Sequence, residues 1–259
     1  MSKLFVHSIV FLFILLICPP SLAGVTSFDQ SIRRNWATED GLPQISITDI
    51  AQDHQGFLWL TTEGGLVRFD GVNFLAFDGD DTPLLSSPLL RSVIIEADNS
   101  VLFASSIKLM RFKEQQFSEL KWQDKSIEGV NDLVLTTENE ILIAADQLYL
   151  MKDGMLSKSE QYSGEAKTLL IYGDQVFIGG VNQLARYQHG NVVPIKVNWP
   201  AGSLTVSEIA VYQQQIFIGT NRGLYKLGES GELLLQQFDQ QIAGAEVLKL
   251  YVDQWQNFW

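Results

Sequence analysis

The chain has 259 residues, of which 46% are hydrophobic, so it is long enough to bury a sizeable core. Its formal net charge of −12 disfavours nucleic acid as a partner, because binding a phosphate backbone requires clustered Lys and Arg. The single cysteine, Cys18, lies in an apolar N-terminal segment. If that segment is removed, disulfides, cysteine-based zinc sites and a cysteine nucleophile are excluded.

Residues Met1–Ala23 are predicted to form a signal peptide. Lys3 supplies the basic start, and Leu4–Ile17 is an apolar run that is short for a membrane span. Ser21-Leu22-Ala23 then offers the small residues that a cleavage site requires. The alternative is an uncleaved anchor. The composition therefore predicts an exported chain that relies on a packed core.

Residues 24–45 are interpreted as an N-terminal lead and a ring-closing strand. The segment Ser31–Pro43 has a lone aromatic, Trp36, ahead of the turn Glu39-Asp40-Gly41. We favour a strand that docks on the last repeat. The alternative is that Trp36 and the pair Arg33-Arg34 belong to a ligand surface.

The next stretch, residues 47–77, predicts four short strands separated by tight turns. Asp and Gly in the turns supply a local hydrogen bond and a permissive backbone, and the segments between them are apolar or alternating. Such a small sheet cannot bury both of its faces alone. The predicted strands are Ile47–Ala51, Phe57–Thr62, Leu66–Phe69 and Asn73–Phe77.

The strand–turn–strand pattern recurs along the chain. Further copies begin near Ser92, Asn131, Thr168 and Glu208, and a partial copy ends the chain at Asp253–Trp259. Trp59 and Trp259 are separated by five intervals that average about 40 residues, which is the period of propeller blades. The fold class is therefore predicted to be all-β, a β-propeller of four-stranded blades over residues 46–259 with about five complete repeats and a truncated sixth. The positions aligned as equivalent are Trp59, Phe103, Ile143, Phe177, Phe217 and Trp259.

The first strand of a propeller blade usually lines the central channel. Acidic residues on the predicted first strands are therefore our candidates for contact with a ligand: Asp49, Glu96, Asp132 and Glu208. The aromatic residues of the second strands, such as Trp59, are assigned to the core between sheets and not to a sugar-stacking stripe.

No catalytic residue, cofactor or metal ligand is predicted. His54 and His189 lie in separate turns without neighbouring Cys residues or an HExxH spacing, which disfavours a metal site. No G-x-S-x-G motif occurs. A pair of carboxylates for glycoside hydrolysis, assembled from distant blades, stays open as an alternative.

Two motifs resemble the two-component regulator propeller family. They are W-A-T-E-D-G-L-P at Trp36–Pro43 and D-H-Q-G-F-L-W-L-T-T-E-G-G-L-V-R-F-D-G at Asp53–Gly71. Thr61 stands where the family pattern has glycine, which returns at Gly179 and Gly219 in later copies. The residues assigned to the structural repeat are Asp53, Gly56, Trp59, Gly65, Leu66, Asp70, Gly71, Asp253 and Trp259.

The resemblance implies a periplasmic, ligand-sensing region of a transmembrane signalling protein, followed by a membrane helix and a histidine kinase or diguanylate cyclase. No such output domain occurs in the 259 residues, so we expect an N-terminal fragment that is not itself an enzyme. The expected ligand is an unknown small molecule or glycan, and a homodimer is expected through the parent protein. Membrane contact is expected only through the signal segment or a downstream helix. The alternatives are an exported propeller enzyme acting on carbohydrate and a non-catalytic protein-interaction propeller.

Overall fold

The computed structural model describes residues 34–80, 82–86, 89–236 and 244–259. The predicted signal peptide, with Cys18, and the residue Arg33 lie outside these ranges. The described residues from Trp36 onward belong to one compact unit. They contain no α-helix and two 3-10 turns, Thr38–Asp40 and Pro83–Leu85. Within these ranges no helix has the length and apolar character needed to cross a bilayer.

The described residues form five antiparallel sheets, each of which we call a blade, with strands in chain order within every blade. The first blade comprises Ile47–Gln52 (β1), Leu58–Thr62 (β2), Gly65–Phe69 (β3) and Phe74–Phe77 (β4). The second comprises Leu90–Ile95 (β5), Val101–Ser105 (β6), Leu109–Lys113 (β7), Gln116–Trp122 (β8) and Lys125–Ser126 (β9). The third comprises Asp132–Leu135 (β10), Ile141–Ala144 (β11), Leu148–Lys152 (β12) and Met155–Lys158 (β13).

The fourth blade comprises Ala166–Tyr172 (β14), Gln175–Gly180 (β15), Gln183–Gln188 (β16) and Asn191–Pro194 (β17). The fifth comprises Val206–Tyr212 (β18), Gln215–Thr220 (β19), Gly223–Leu227 (β20) and Leu233–Leu235 (β21). The predicted fold class, all-β with propeller blades, is confirmed. The four strands predicted for the first blade agree with β1–β4 to within one residue at each end.

The turn between β1 and β2 is built around Asp53. Its Oδ1 accepts hydrogen bonds from the backbone N–H groups of Gln55 and Phe57, and its Oδ2 accepts one from Trp59 Nε1 at 2.9 Å. Asp53 is 7% exposed and Trp59 is 3% exposed. The carboxylate therefore provides hydrogen-bond acceptors both for the backbone N–H groups of the turn and for the buried indole N–H.

The turn between β2 and β3 depends on Gly65. Its φ is +142°, and a Cβ at this position would lie 2.3 Å from the carbonyl oxygen of Phe77 on β4. A side chain would therefore collide with the backbone of the outer strand. The following turn is held by Asp70, whose Oδ1 accepts the N–H groups of Val72 and Asn73, with Gly71 at positive φ.

The core lies between successive blades. On each second strand, neighbouring side chains point to opposite faces, because the side-chain period of a strand is two. Trp59 packs toward the second blade in a cluster with Val93, Phe103 and Met110, whereas Leu60 packs on the other face with Leu42. Each sheet therefore buries both faces only because a neighbour covers each one.

The strand pairing corrects the alignment of two repeats. Asp49 pairs with Thr61 in the first blade, and Ser92 and Asp132 pair with Ala104 and Ala144 at the same place in the next two. The counterparts of Trp59 are therefore Leu102 and Leu142, one residue before the positions predicted, Phe103 and Ile143. In blades four and five, Phe177 and Phe217 are the true counterparts. The error arose because every residue of β6 and β11 is buried, so the apolar pattern does not mark which residue faces which neighbour.

The described part of the N-terminal segment packs on the first blade. Trp36 makes edge contacts with Phe69 and Phe74, at 5.3 and 6.2 Å between ring centroids, and Leu42 is buried. Residues 34–45 contain a 3-10 turn and no strand. Trp36 thus packs against two rings of the first blade while 41% of it stays exposed, and the predicted ring-closing role of residues 24–45 stays a prediction.

A sixth turn repeats the geometry of the first. Asp253 Oδ1 accepts the N–H groups of Trp255 and Asn257, and its Oδ2 accepts Trp259 Nε1 at 3.1 Å. The isolated bridge between Val252 and Phe258 stands where β1 and β2 would pair. The partial sixth repeat therefore forms its turn, although Trp259 is 58% exposed.

Candidate functional site: a polar cavity at the first strands

The first strands of the blades place one polar side chain each at an equivalent position. The strand pairing defines this position in five blades, and counting back four residues from Asp253, as Asp49 precedes Asp53, defines it in the sixth repeat. Carboxylates and hydroxyls alternate along this set up to a lysine. We call this set the channel set: Asp49, Ser92, Asp132, Thr168, Glu208 and Lys249.

Five of the six members of the channel set, all except Ser92, line one cavity of about 470 Å³, together with polar neighbours. The volume falls within the range of small-molecule sites. The lining combines acids, bases, hydroxyls and an amide with two leucines. The lining residues are Thr48, Asp49, Leu89, Arg91, Asn131, Asp132, Lys167, Thr168, Ser207, Glu208, Leu248 and Lys249.

Asp49 links the first blade to the second. Its Oδ2 accepts hydrogen bonds from Ser92 Oγ and from the Val93 backbone N–H, both at 3.0 Å. The neighbouring Thr48 donates its hydroxyl to the Leu90 carbonyl at 2.9 Å. Because all three bonds cross a blade boundary, the cavity wall also holds these two blades together.

Asp132 plays the same part between the third and fourth blades. Its Oδ2 accepts the Leu169 N–H at 2.8 Å, and its Oδ1 accepts the Leu133 N–H at 2.8 Å. Removal from bulk water raises the pKa of the Asp132 carboxyl to about 7, and the nearby Glu208 and Asp49 carboxylates add to the rise. Asp132 therefore joins two blades and contributes to the cavity a carboxyl whose pKa is raised above its ordinary value.

Glu208 links the fourth and fifth blades to the sixth repeat. Its Oε1 accepts the Thr168 hydroxyl at 3.3 Å, and its Oε2 pairs with Lys249 Nζ at 2.8 Å. Although desolvation opposes it, the negative charge of Glu208 raises the pKa of Lys249 above its ordinary value. Val247 is held as well, since its carbonyl accepts the Ser207 hydroxyl and its N–H bonds to the Thr220 carbonyl.

The placement predicted for Glu96 differs. Its backbone N–H bonds to the Ser100 carbonyl, as that of Asp53 bonds to Phe57, so Glu96 is the counterpart of Asp53 and lies past the end of β5. Its carboxylate forms a bidentate ion pair with Arg111 on β7, at 2.5 and 2.7 Å. The structure thus brings together Asp49, Asp132 and Glu208 and leaves Glu96 outside the cavity.

The sequence analysis missed the basic members of the cavity. Lys249 could have been found, because it stands four residues before Asp253 as Asp49 stands before Asp53. Arg91 and Lys167 adjoin Ser92 and Thr168 in the channel set. None of the cavity's lining residues is a histidine: His54 donates its backbone N–H to Asn99, and His189 contacts Glu138 on the surface.

The resemblance found in the sequence is confirmed over part of the first repeat. The model of the family described as two component regulator propeller matches residues 41–64, which hold β1, β2 and the Asp53 turn. A comparison with curated proteins finds no significant relative.

Solved structures share the fold. The extracellular domain of a protein described as a hybrid two-component system from B. thetaiotaomicron, BT3049, superposes with a TM-score of 0.68 at 18% identity, covering 87% of this chain and 33% of that one. The extracellular domain of BT4673 from the same organism gives 0.55 at 14% identity, covering 83% and 36%. The chain therefore spans about a third of the length of these two domains.

The same fold also occurs in enzymes. Virginiamycin B lyase from Staphylococcus aureus, solved with quinupristin, gives a TM-score of 0.60 at 13% identity, covering 80% of this chain and 73% of that one. At these identities the likeness establishes the propeller fold and leaves activity open. What the cavity can do chemically follows from its own residues: it can hydrogen-bond and ion-pair with a small polar molecule.

Proposed function

We propose that this chain is part of an exported, ligand-sensing propeller of a transmembrane signalling protein, whose output domain is a histidine kinase or a diguanylate cyclase. The family match at residues 41–64 carries the proposal, because it covers the strand that supplies Asp49 to the cavity. The fold shared with extracellular domains of two-component systems supports it. The N-terminal apolar segment supports export into the periplasm.

In this proposal a small polar ligand or glycan binds at the cavity and changes how neighbouring blades pack. A ligand could act through Asp49, Asp132 and Glu208, because each accepts a hydrogen bond that crosses a blade boundary. A ligand that competes for these bonds alters the contacts between blades. That change would pass through a dimer of the parent protein to its membrane helix.

The first test uses the gene and the full chain. We expect the reading frame of the parent gene to encode further blades, an apolar helix of about 20 residues and a kinase or cyclase domain. A parent gene without any membrane segment would contradict the sensor proposal. Export is measured by N-terminal sequencing of the periplasmic protein, with cleavage expected after Ala23.

The second test screens the full chain against small polar molecules and glycans by thermal shift. A true ligand raises the Tm of the wild type, and the rise is lost in Glu208→Gln, which removes a cavity charge. Glu229→Gln, which lies outside the cavity lining, is the control and keeps the response. Conversion of the ligand to product would favour the exported enzyme instead, and binding of a protein without any small-molecule response would favour the interaction propeller.

A further inference from the structure

A second set of residues lines the cavity, one position before each member of the channel set. In four blades the register of strand pairing shifts at this position, so the residue is a β-bulge without a partner in the neighbouring strand. Bulges commonly re-aim a side chain, and all six of these residues line the cavity. We call them the preceding set: Thr48, Arg91, Asn131, Lys167, Ser207 and Leu248.

The preceding set and the channel set carry opposite charge. The preceding set has two bases, Arg91 and Lys167, and no acid, whereas the channel set has three acids and the single base Lys249. With all carboxylates ionised, the formal charge is therefore +2 for the preceding set and −2 for the channel set. Because members of the two sets are adjacent residues, a ligand in the cavity meets positive and negative groups at the same time.

Arg91 supplies the cationic group that is available to an anion. Its Nη1 donates to the neutral Asn131 Oδ1 at 3.2 Å, and among the residues that the structure describes it has no acidic partner. Lys167 and Lys249, by contrast, each pair with a glutamate. A guanidinium has five N–H donors in a planar fork that matches a carboxylate, so most of the donors of Arg91 are left for a ligand.

Asp49 and Asp132 supply the anionic groups. Each accepts one backbone N–H from its own blade and one from the next, and neither forms an ion pair within the described part of the chain. The Ser92 hydroxyl lies 3.0 Å from Asp49 Oδ2 and 3.5 Å from Asp132 Oδ1. Both carboxylates are thus within reach of the residue next to Arg91. Burial raises the pKa of Asp132, and a cationic ligand group beside it would lower that pKa again.

We propose that the cavity binds a small zwitterion of the size of an α-amino acid, with its carboxylate on Arg91 and its ammonium group at Asp49 and Asp132. This ligand class rests on the proposed sensor function, because it concerns the same cavity. A neutral sugar would leave Arg91 without an anion and both acids without a cation. The cavity of about 470 Å³ has room for such a molecule, and its two leucines, Leu89 and Leu248, offer apolar contact for a side chain.

The ligand class is tested on the full chain with the common L-amino acids, added singly in a thermal-shift assay. We expect at least one of them to raise the Tm. Its affinity is then measured by calorimetry beside two analogues, one without the ammonium group and one without the carboxylate. Each analogue should bind about tenfold more weakly or worse, because it loses a charge-assisted contact. Analogues that bind as tightly as the amino acid would overturn the zwitterion.

Arg91→Gln tests the placement of the carboxylate. It should weaken binding of the amino acid by about tenfold or more, while the analogue without a carboxylate binds as it does to wild type. Arg222→Gln is the matched control, because Arg222 lies outside the cavity lining, and it should bind like wild type. Wild-type affinity in Arg91→Gln would overturn the assignment. If Arg91→Gln does not fold, the comparison of analogues on the wild type still decides the ligand class.

The outcomes separate this ligand class from the sensor proposal. A glycan that raises the Tm and loses its effect in Glu208→Gln, when no amino acid does so, would overturn the zwitterion and leave the sensor standing. An amino acid that binds through Arg91 would support the zwitterion even if the parent gene encoded no membrane segment, which contradicts only the sensor. A chain to which no compound of either kind binds would count against both.

Discussion

Asp53 and Asp253 occupy the same position in the first and the sixth repeat, but the groups to which they bond differ in burial. Both carboxylates accept two backbone N–H groups and one indole N–H. The indole bonded to Asp53 is 3% exposed, whereas the one bonded to Asp253 is 58% exposed. Losing a partner costs most where water cannot replace it.

We therefore expect Asp53→Ala to lower the free energy of unfolding by about 2–4 kcal/mol, because it leaves buried N–H groups unsatisfied. Asp253→Ala, the matched control, should cost less than about 1 kcal/mol, since water reaches the groups it exposes. Urea unfolding of both variants measures the two values. Equal losses would show that burial of the indole does not determine the cost.

Individual site residues could be predicted from the sequence only where the repeat pattern fixed their position on a first strand. Asp49, Asp132 and Glu208 each stand at a fixed position on a first strand and line the cavity, while their contact with a ligand stays a prediction. Glu96 was misplaced because an acid near the end of a strand can belong either to the strand or to the turn. Its backbone bond to Ser100 and its ion pair with Arg111 assign it to the turn, and neither is visible in the sequence.

Glycine recurs at one position of the second strands, Gly179 and Gly219, because a valine of the next repeat packs closely against it. A Cβ on Gly179 would lie 2.5 Å from Val206 Cγ1 and 2.8 Å from Thr168 Cγ2. At the equivalent place in the first blade, Thr61 is accommodated, and its hydroxyl oxygen lies 2.9 Å from that of Thr48. Thr61 departs from the glycine of the family pattern, and the adjacent Thr48 hydroxyl provides a polar contact for its side chain.

This contact predicts a specific double-mutant result. Gly179→Ala should destabilise the chain by about 1–3 kcal/mol through overpacking against Val206. Val206→Ala should also destabilise it, by loss of buried methyl groups. Because the second change makes room for the first, the double variant should be more stable than the sum of the single effects predicts. Strict additivity in chemical denaturation would contradict this explanation.

The strand boundaries were predictable because Asp and Gly turns mark both ends of each short apolar run. Blade-to-blade equivalence was less predictable, since turns of different length shift the residue count without shifting the pairing. The misalignment of Phe103 and Ile143 has another cause, because the first three blades have the same spacing and the continuous burial of β6 and β11 leaves the register ambiguous. The repeat length alone does not show that the turns of the fourth and fifth blades are one residue shorter.

In the molecule as a whole, stability comes from the clusters between blades and not from any blade alone. Leu142 on β11 is fully buried in the cluster that joins the third and fourth blades, with Leu169, Val176 and Ile178 on the far side. A blade that loses such a neighbour exposes an entire apolar face. The described blades should accordingly unfold together.

Leu142→Ala is expected to cost about 2–5 kcal/mol, the range for a large cavity in a packed core. Leu234→Ala, at a residue 45% exposed on the outer strand β21, is the control and should cost less than about 1 kcal/mol. Tryptophan fluorescence and far-ultraviolet circular dichroism should report one coincident urea transition in each case. Separate transitions for the two probes would show that the blades unfold independently.

The alternation in the channel set has a consequence for rearranging the chain. From Asp49 to Glu208, carboxylates on odd blades face hydroxyls on even blades, and Ser92 and Thr168 donate to those acids. A chimera that lacks the second or the fourth blade would place two carboxylates side by side without a donor between them. Excising two consecutive blades would leave the sequence of donor and acceptor intact. The unit that can be shuffled in this part of the chain is therefore the pair of blades and not the single blade.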